Sequence, residues 1–354
     1  MASIHRDRDA WRVRWRDASG RQHSQTFTRK ADATAHAAIV EADRHRGLGI
    51  DPQGGRISFD TYAAEWQARQ VWRDSTATSM RQILSGLPFG HRPLAGIRYR
   101  DIQGWVADMS DRLAPATVEQ RYRAAVAVFR AAKRDRLISD LPTDDVRLPS
   151  KARTPSERAV ALDPEAVAEL LAALPGPGTT WTDYARVILL TGLRPSEAAG
   201  ITSDRITGGI LTVDRQLDRG GTGLVPPKTP ASVRQIPLSD AALAVLESRP
   251  VASDGLLFVN RHRRPLSQST RTGAWHKAAA VLAADGHPLP TAARGWHTLR
   301  HTFASTALAA GMDPATLSRF LGHATVDETL RTYSHAIPGA LEAHRNTVAT
   351  ALNL

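Results

Sequence analysis

Residues 11–16 alternate strictly between apolar and cationic side chains, Trp11, Val13 and Trp15 against Arg12, Arg14 and Arg16. A period of two belongs to a strand, so one face packs and the other carries a row of three arginines. Residues 17–20 supply a turn, 22–27 a second strand, and 30–46 a helix ended by Gly47. Pro52 to Arg56 reads as a linker, after which the period lengthens. Phe59, Tyr62, Ala63, Trp66 and later Trp72 open a helical region reaching to about Pro142. Within it, residues 78–84, 100–109 and 115–136 are helices. In the longest, Val118, Tyr122, Ala125, Val128, Phe129 and Ala132 recur at helical spacing, with Arg121, Arg123, Arg130 and Lys133 among them. Leu141-Pro142 and Leu148-Pro149 break the pattern and place a linker around 140–157.

Beyond it, Asp163 caps a helix with Pro164 at its first position, and residues 184–191 form another. A turn at Gly192-Leu193-Arg194-Pro195 precedes a restart near Ser196, so Arg194 sits between helices. Residues 210–213 and 234–238 are strand-like and bracket a turn-rich hairpin region that contains Lys228. Gly220, Gly221 and Gly223 precede that lysine without adjoining it, which argues against a phosphate-binding loop. These elements define a mainly α chain with small β-sheets, an α+β class. The organisation is a three-stranded sheet plus helix (1–55), a helical bundle (56–150) and an α-rich mixed domain with a C-terminal tail (151–354).

Charge adds a partner to this picture. Across the 354 residues, 46 Lys and Arg face 35 Asp and Glu, a net charge of +11. The excess is spread through all three parts, as expected where several domains touch a polyanion such as DNA, although an arginine-rich coding bias gives the same total. The arginine row of the first sheet suits groove or backbone contact, or else forms a solvated charged face. Without cysteine there is neither a disulfide nor a thiolate zinc site. No apolar run suits a signal peptide or a membrane span, which leads to the expectation of a cytoplasmic protein with no membrane partner, nucleoid-associated when bound to DNA.

The chemistry concentrates late in the chain, where His297, Arg300, His323 and Tyr333 occur in order, with Arg194 and Lys228 upstream. A tyrosine that attacks a phosphodiester needs cationic donors around the non-bridging oxygens, a base for its phenol and an acid for the leaving oxygen. All of those residue types are present. Taken singly each has a plainer reading: Arg194 pairing with Glu197, Lys228 solvated, Tyr333 an exposed aromatic. His297 and His301 stand four apart on a helix, a zinc spacing, but position 298 is Thr and Arg300 brings a fixed positive charge.

The strings Thr191-Gly-Leu-Arg194-Pro-Ser-Glu197, Pro227-Lys228-Thr229, His297-Thr-Leu-Arg300-His301, Leu321-Gly-His323 and Thr332-Tyr333-Ser-His335 resemble the tyrosine recombinase, or phage integrase, family. The resemblance covers roughly residues 160–340, and the three-part organisation is similar to phage-type integrases with an arm-binding domain first. It implies a site-specific recombinase that cleaves and rejoins double-stranded DNA. Tyr333 forms a 3′-phosphotyrosine, Arg194 and Arg300 grip the phosphate, and Lys228 protonates the 5′-oxygen. His297 accepts or relays the tyrosine proton, and His323 bonds the scissile phosphate. Glu197 orients a helix or an arginine, and His301 and His335 are structural or pack beside the site. Neither metal nor ATP nor another cofactor is implied. The implied partners are DNA attachment sites, three further copies in a tetramer, a host DNA-bending protein and an excision factor, with the tail from 339 packing on a neighbouring subunit. A type IB topoisomerase-like enzyme and a non-catalytic DNA-binding protein are the alternatives.

Overall fold

The computed structural model describes residues 2–16, 22–45, 54–150, 160–175 and 180–333. The chain divides into two units, Met1–Ala152 and Arg153–Leu354. The first begins with an antiparallel sheet ordered β1 (Ser3–Asp7), β2 (Ala10–Arg16), β3 (Gln22–Phe27), followed by helix α1 (Lys30–His45). The alternation in β2 holds: Val13 and Trp15 are buried with Ala33 and Ala37 of α1, while Arg14 and Arg16 are exposed. Arg12 lies within 2.5 Å of Asp7 across the pair. The expected turn at 17–20 and the expected stop at Gly47 lie outside the described residues.

A second, separate core in the same unit joins α2 (Phe59–Ala68), α3 (Asp74–Leu84), α4 (Tyr99–Ser110) and α5 (Pro115–Arg134). Ser58 caps α2 through the Thr61 amide, and Pro115 starts α5 where a missing N–H costs nothing. Helix α3 starts four residues before the apolar periodicity does, because its first turn is polar and its amides bond the Arg73 carbonyl. The stretch expected as linker from 140 is partly packed. Leu141 and Val146 lie against this core, and the Arg147 amide donates to Gln103 at 2.9 Å.

In the second unit, Asp163 caps α6 (Pro164–Ala173) through the Ala166 amide, as its sequence signature indicates. Helix α7 (Thr180–Thr191) runs to a turn and the short α8 (Pro195–Ala199). An antiparallel sheet ordered β4 (Ile206–Thr207), β5 (Ile210–Val213), β8 (Arg234–Pro237) encloses the hairpin β6 (Gln216–Leu217) and β7 (Leu224–Val225) in sequence. Helices α9 (Asp240–Glu247), α10 (Gln268–Ala284), α11 (His297–Ala309), α12 (Pro314–Leu321) and α13 (Val326–Tyr333) complete it. The main core draws Tyr184 and Ile188 of α7, Leu211 and Ile236 of the sheet, Trp275 of α10 and Trp296 ahead of α11. A smaller one gathers Ala304, Leu308, Leu317, Leu321 and Tyr333. His335 and the tail from 339 lie outside the described residues.

Candidate active site

Two glycines shape the backbone on which the site is built. Gly192 follows α7 at φ 65°, and a Cβ there would stand 2.3 Å from the Phe303 ring. Only glycine meets both demands. The turn it makes delivers Arg194 to the first position before α8, where the Tyr184 hydroxyl donates to the Pro195 carbonyl at 2.5 Å. Gly322, at φ 65°, ends α12 in the left-handed conformation and lets the His323 amide reach back to the Ser318 carbonyl at 3.1 Å. The Leu-Gly-His string is thus a helix stop that turns His323 into the site.

A helix end leaves carbonyls without intrahelical partners and a partial negative charge. At α12, three arginines from three segments take those carbonyls. Arg234 Nε donates to Phe320 O at 2.6 Å, Arg300 Nη2 to Leu321 O at 2.7 Å, and Arg194 Nη2 to Gly322 O at 3.1 Å. Arg300 also donates to the Gly192 carbonyl at 2.8 Å, which ties both glycine turns to one guanidinium. Burial, then the neighbouring Arg194 charge, lowers the Arg300 pKa to about 10, so it remains cationic at neutral pH. Glu197, with a side chain 1 % exposed, balances the cluster: Oε1 takes Arg194 Nη1 at 2.7 Å and Oε2 takes Arg234 Nη2 at 2.9 Å. Burial opposes ionisation of Glu197, yet Arg234 and Arg194 outweigh it and hold its pKa below the ordinary value. Arg194 Nη1 also donates to Ser232 Oγ at 3.1 Å, so three of its five N–H donors are engaged and two of those of Arg300, which leaves both guanidiniums donors for a phosphate.

Tyr333 is buried at the end of α13, and its hydroxyl meets His301 Nδ1 at 2.8 Å. Burial pushes the phenol up to about 12 against the pull of Arg300 and Arg194. Burial, then His297 and Arg300, lowers His301 to about 4. With the two so far apart the proton stays on the tyrosine and the imidazole is neutral; in its Nε2–H tautomer, Nδ1 accepts from the phenol. The phenol's hydrogen bond is thus with His301, which the sequence left beside the site, one helical turn on from His297, expected to accept or relay the tyrosine proton. His297 opens α11 with a ring that reaches solvent while protein surrounds much of it. Crowding first, then Arg300, Arg194 and Arg271, lowers its pKa. His323 holds Thr329 through Nδ1 at 2.7 Å, and burial followed by the Arg300 charge brings it to about 4. Both rings are neutral donors or acceptors at pH 7.

Arg194, His297, Arg300, His323 and Tyr333 therefore share one electrostatic neighbourhood. Lys228 stands exposed after β7, and no hydrogen bond or ion pair among the described residues joins it to the others. Its neighbour Thr229 does join them, bonding Ser232 Oγ at 3.0 Å, which accepts from Arg194 at 3.1 Å. Arg12, Arg14 and Arg16 belong to the other unit. Sequence reasoning passed over Ser232 and Arg234. For Arg234 a signal existed: the period of two in β8 places it in register with buried Ile236. His297 and His301 gather no third His, Asp or Glu donor for a metal among the described residues.

Residues 161–338 match the phage integrase family. The transposase from transposon Tn916 of Enterococcus faecalis is 29% identical over 324 residues, 84% of this chain and 79% of that protein. The tyrosine recombinase XerC of Rhodospirillum centenum is 30% identical over 253 residues, 70% of each. Among solved structures, the Tn1549 transposon integrase in complex with circular intermediate DNA superposes with a TM-score of 0.68 at 25% identity over 82% of this chain and 100% of that one. A lambda integrase dimer bound to a core site shares the fold, with a TM-score of 0.63 at 16% identity over 94% of each chain. With half of its length matched and the arginines, histidines and tyrosine assembled in one place, the chain belongs to the phage integrase family of tyrosine recombinases.

Proposed function

We propose that this recombinase cuts each DNA strand by attack of the Tyr333 hydroxyl on a phosphodiester, leaving a 3′-phosphotyrosine and a free 5′-hydroxyl, and that rejoining reverses the step on a new partner strand. The observation that carries the reading is the gathering of Arg194 and Arg300 at the α12 terminus beside Tyr333 and its histidine. Guanidinium forks match the non-bridging oxygens and stabilise the charge of the pentavalent state. His301 takes the phenol proton, His297 and His323 bond the phosphate, and Lys228 protonates the departing 5′-oxygen once DNA draws its exposed segment inward. The covalent bond conserves the energy of the broken one, so neither ATP nor metal enters the step. Residues 1–55 read arm-type sites, 56–150 the core site, and four copies assemble on paired attachment sites. A DNA-bending protein and an excision factor then set direction, in the cytoplasm on the nucleoid. No helix among the described residues is long and apolar enough to cross a membrane.

The test uses a nicked duplex selected by binding from a randomised pool, with Tyr333→Phe as bait. Incubated in EDTA and run on a denaturing gel, wild type gives a protein–DNA adduct and Tyr333→Phe gives none. Binding by both without any adduct would leave a DNA-binding protein that has kept the motifs and lost the chemistry.

A further inference from the structure

Arg234 has no place in the chemistry so far, yet it is far more enclosed than Arg194. Its side chain is 6 % exposed, against 27 % for Arg194. Its three bonds run to three segments: Nε to Phe320 O at 2.6 Å, Nη1 to Ser232 O at 2.9 Å, and Nη2 to Glu197 Oε2 at 2.9 Å. Each of those partners also reaches a residue of the proposed reaction. Glu197 holds the Arg194 guanidinium through Oε1 and the Arg194 amide through Oε2 at 3.0 Å. Ser232 accepts from Arg194 and bonds Thr229, the residue after Lys228. Phe320 lies three residues before His323, and a Cβ on the intervening Gly322 would stand 3.0 Å from Arg234 Nη1. A buried charge is tolerated only with such compensation.

We propose that Arg234 is a positioning residue for strand cleavage: it fixes Glu197, Ser232 and the α12 terminus, and through them aligns Arg194 and the Lys228 segment, without touching DNA. This rests on the recombinase reading of Tyr333. The charged and titratable groups around Glu197 are Arg194 ahead of α8, Arg234 on β8, and Arg300 and His297 on α11.

The experiment measures single-turnover adduct formation on the selected nicked duplex for wild type, R234Q, R234K, E197Q and the R234Q/E197Q double variant, with duplex affinity and melting temperature alongside. R234Q is expected to bind within about twofold of wild type and to cleave about 100-fold more slowly, the cost of a small misplacement of a catalytic group. R234K, which keeps a charge beside Glu197 but not the fork, recovers part of that loss. The double variant cleaves no more slowly than the worse single one, because both act through one contact. Additive losses, or binding lost in step with cleavage, would overturn the proposal. Should R234Q melt below assay temperature, R234K carries the comparison: normal binding with slowed cleavage supports the role, and wild-type cleavage refutes it. If wild type itself gives no adduct, the reading of Tyr333 fails; if wild type and R234Q give equal adduct, only the role of Arg234 fails.

Discussion

His301 and His323 resist protonation in the folded chain, each brought to about 4 first by burial, then by His297 and Arg300 for His301 and by Arg300 for His323. In the unfolded chain a histidine titrates near 6.5. Unfolded protein therefore takes up protons first as pH falls, and the stability present above about 6.5 is lost progressively toward 4. Glu197, with its depressed carboxyl, adds its own loss from about pH 5 downward, so the histidine contribution is read between about pH 6.5 and 5. The melting temperature of the DNA-free protein should fall between about pH 6.5 and 5, and His301→Asn with His323→Asn should flatten that slope. An unchanged slope would assign the loss to other groups. At this scale the sequence was informative where a motif names a residue type in order, as with Arg194, Arg300, His323 and Tyr333. It assigned the tyrosine proton to His297, whereas the hydrogen bond to the phenol is with His301; the two share a helix face, and only the placement of α13 decides between them.

At the scale of elements, the site depends on where helices stop. Gly192 ends α7 and Gly322 ends α12, and the carbonyls they present hold Arg300 and Arg194. Gly192→Ala would force a left-handed conformation costing about 1–2 kcal/mol and press a methyl into the Phe303 ring, an overpacking of about 1–3 kcal/mol more. Denaturant titration should show that loss, and adduct formation should fall further than stability explains, because the Gly192 carbonyl moves with the turn. Equal stability with slowed cleavage would place the glycine's value in geometry alone. Periodicity and capping located α5, α6 and the β5–β8 pair from sequence. They did not locate the polar first turn of α3, whose apolar residues come only later, nor β1, whose Ser3-Ile-His-Arg-Asp7 carries a single aliphatic residue. Arg234 escaped because an arginine in register with Ile236 contradicts the usual inside-outside rule, and only Glu197 and the α12 terminus make it tolerable.

For the whole molecule the net charge of +11 acts through where it sits. In the second unit the enclosed Arg194, Arg234 and Arg300 are hydrogen-bonded around the α12 terminus. On β2 the exposed Arg14 and Arg16 stand on the face opposite buried Val13 and Trp15, where changing them leaves that core intact. If that face contacts the phosphates of an arm-type site, each contact releases counterions and contributes about 0.9 to the salt slope. Arg14→Ala with Arg16→Ala should then lower the slope of log affinity against log salt by about 1.8 for an arm-type duplex, while core-duplex affinity and adduct formation stay at wild-type values. Titration by fluorescence anisotropy at several salt concentrations measures both. An unchanged slope would make the row a solvated face and move arm recognition elsewhere. A slope that falls equally on both duplexes would mean that the sheet binds DNA without distinguishing the two classes of site, and the two-site organisation would then have to arise from sequence readout rather than from charge.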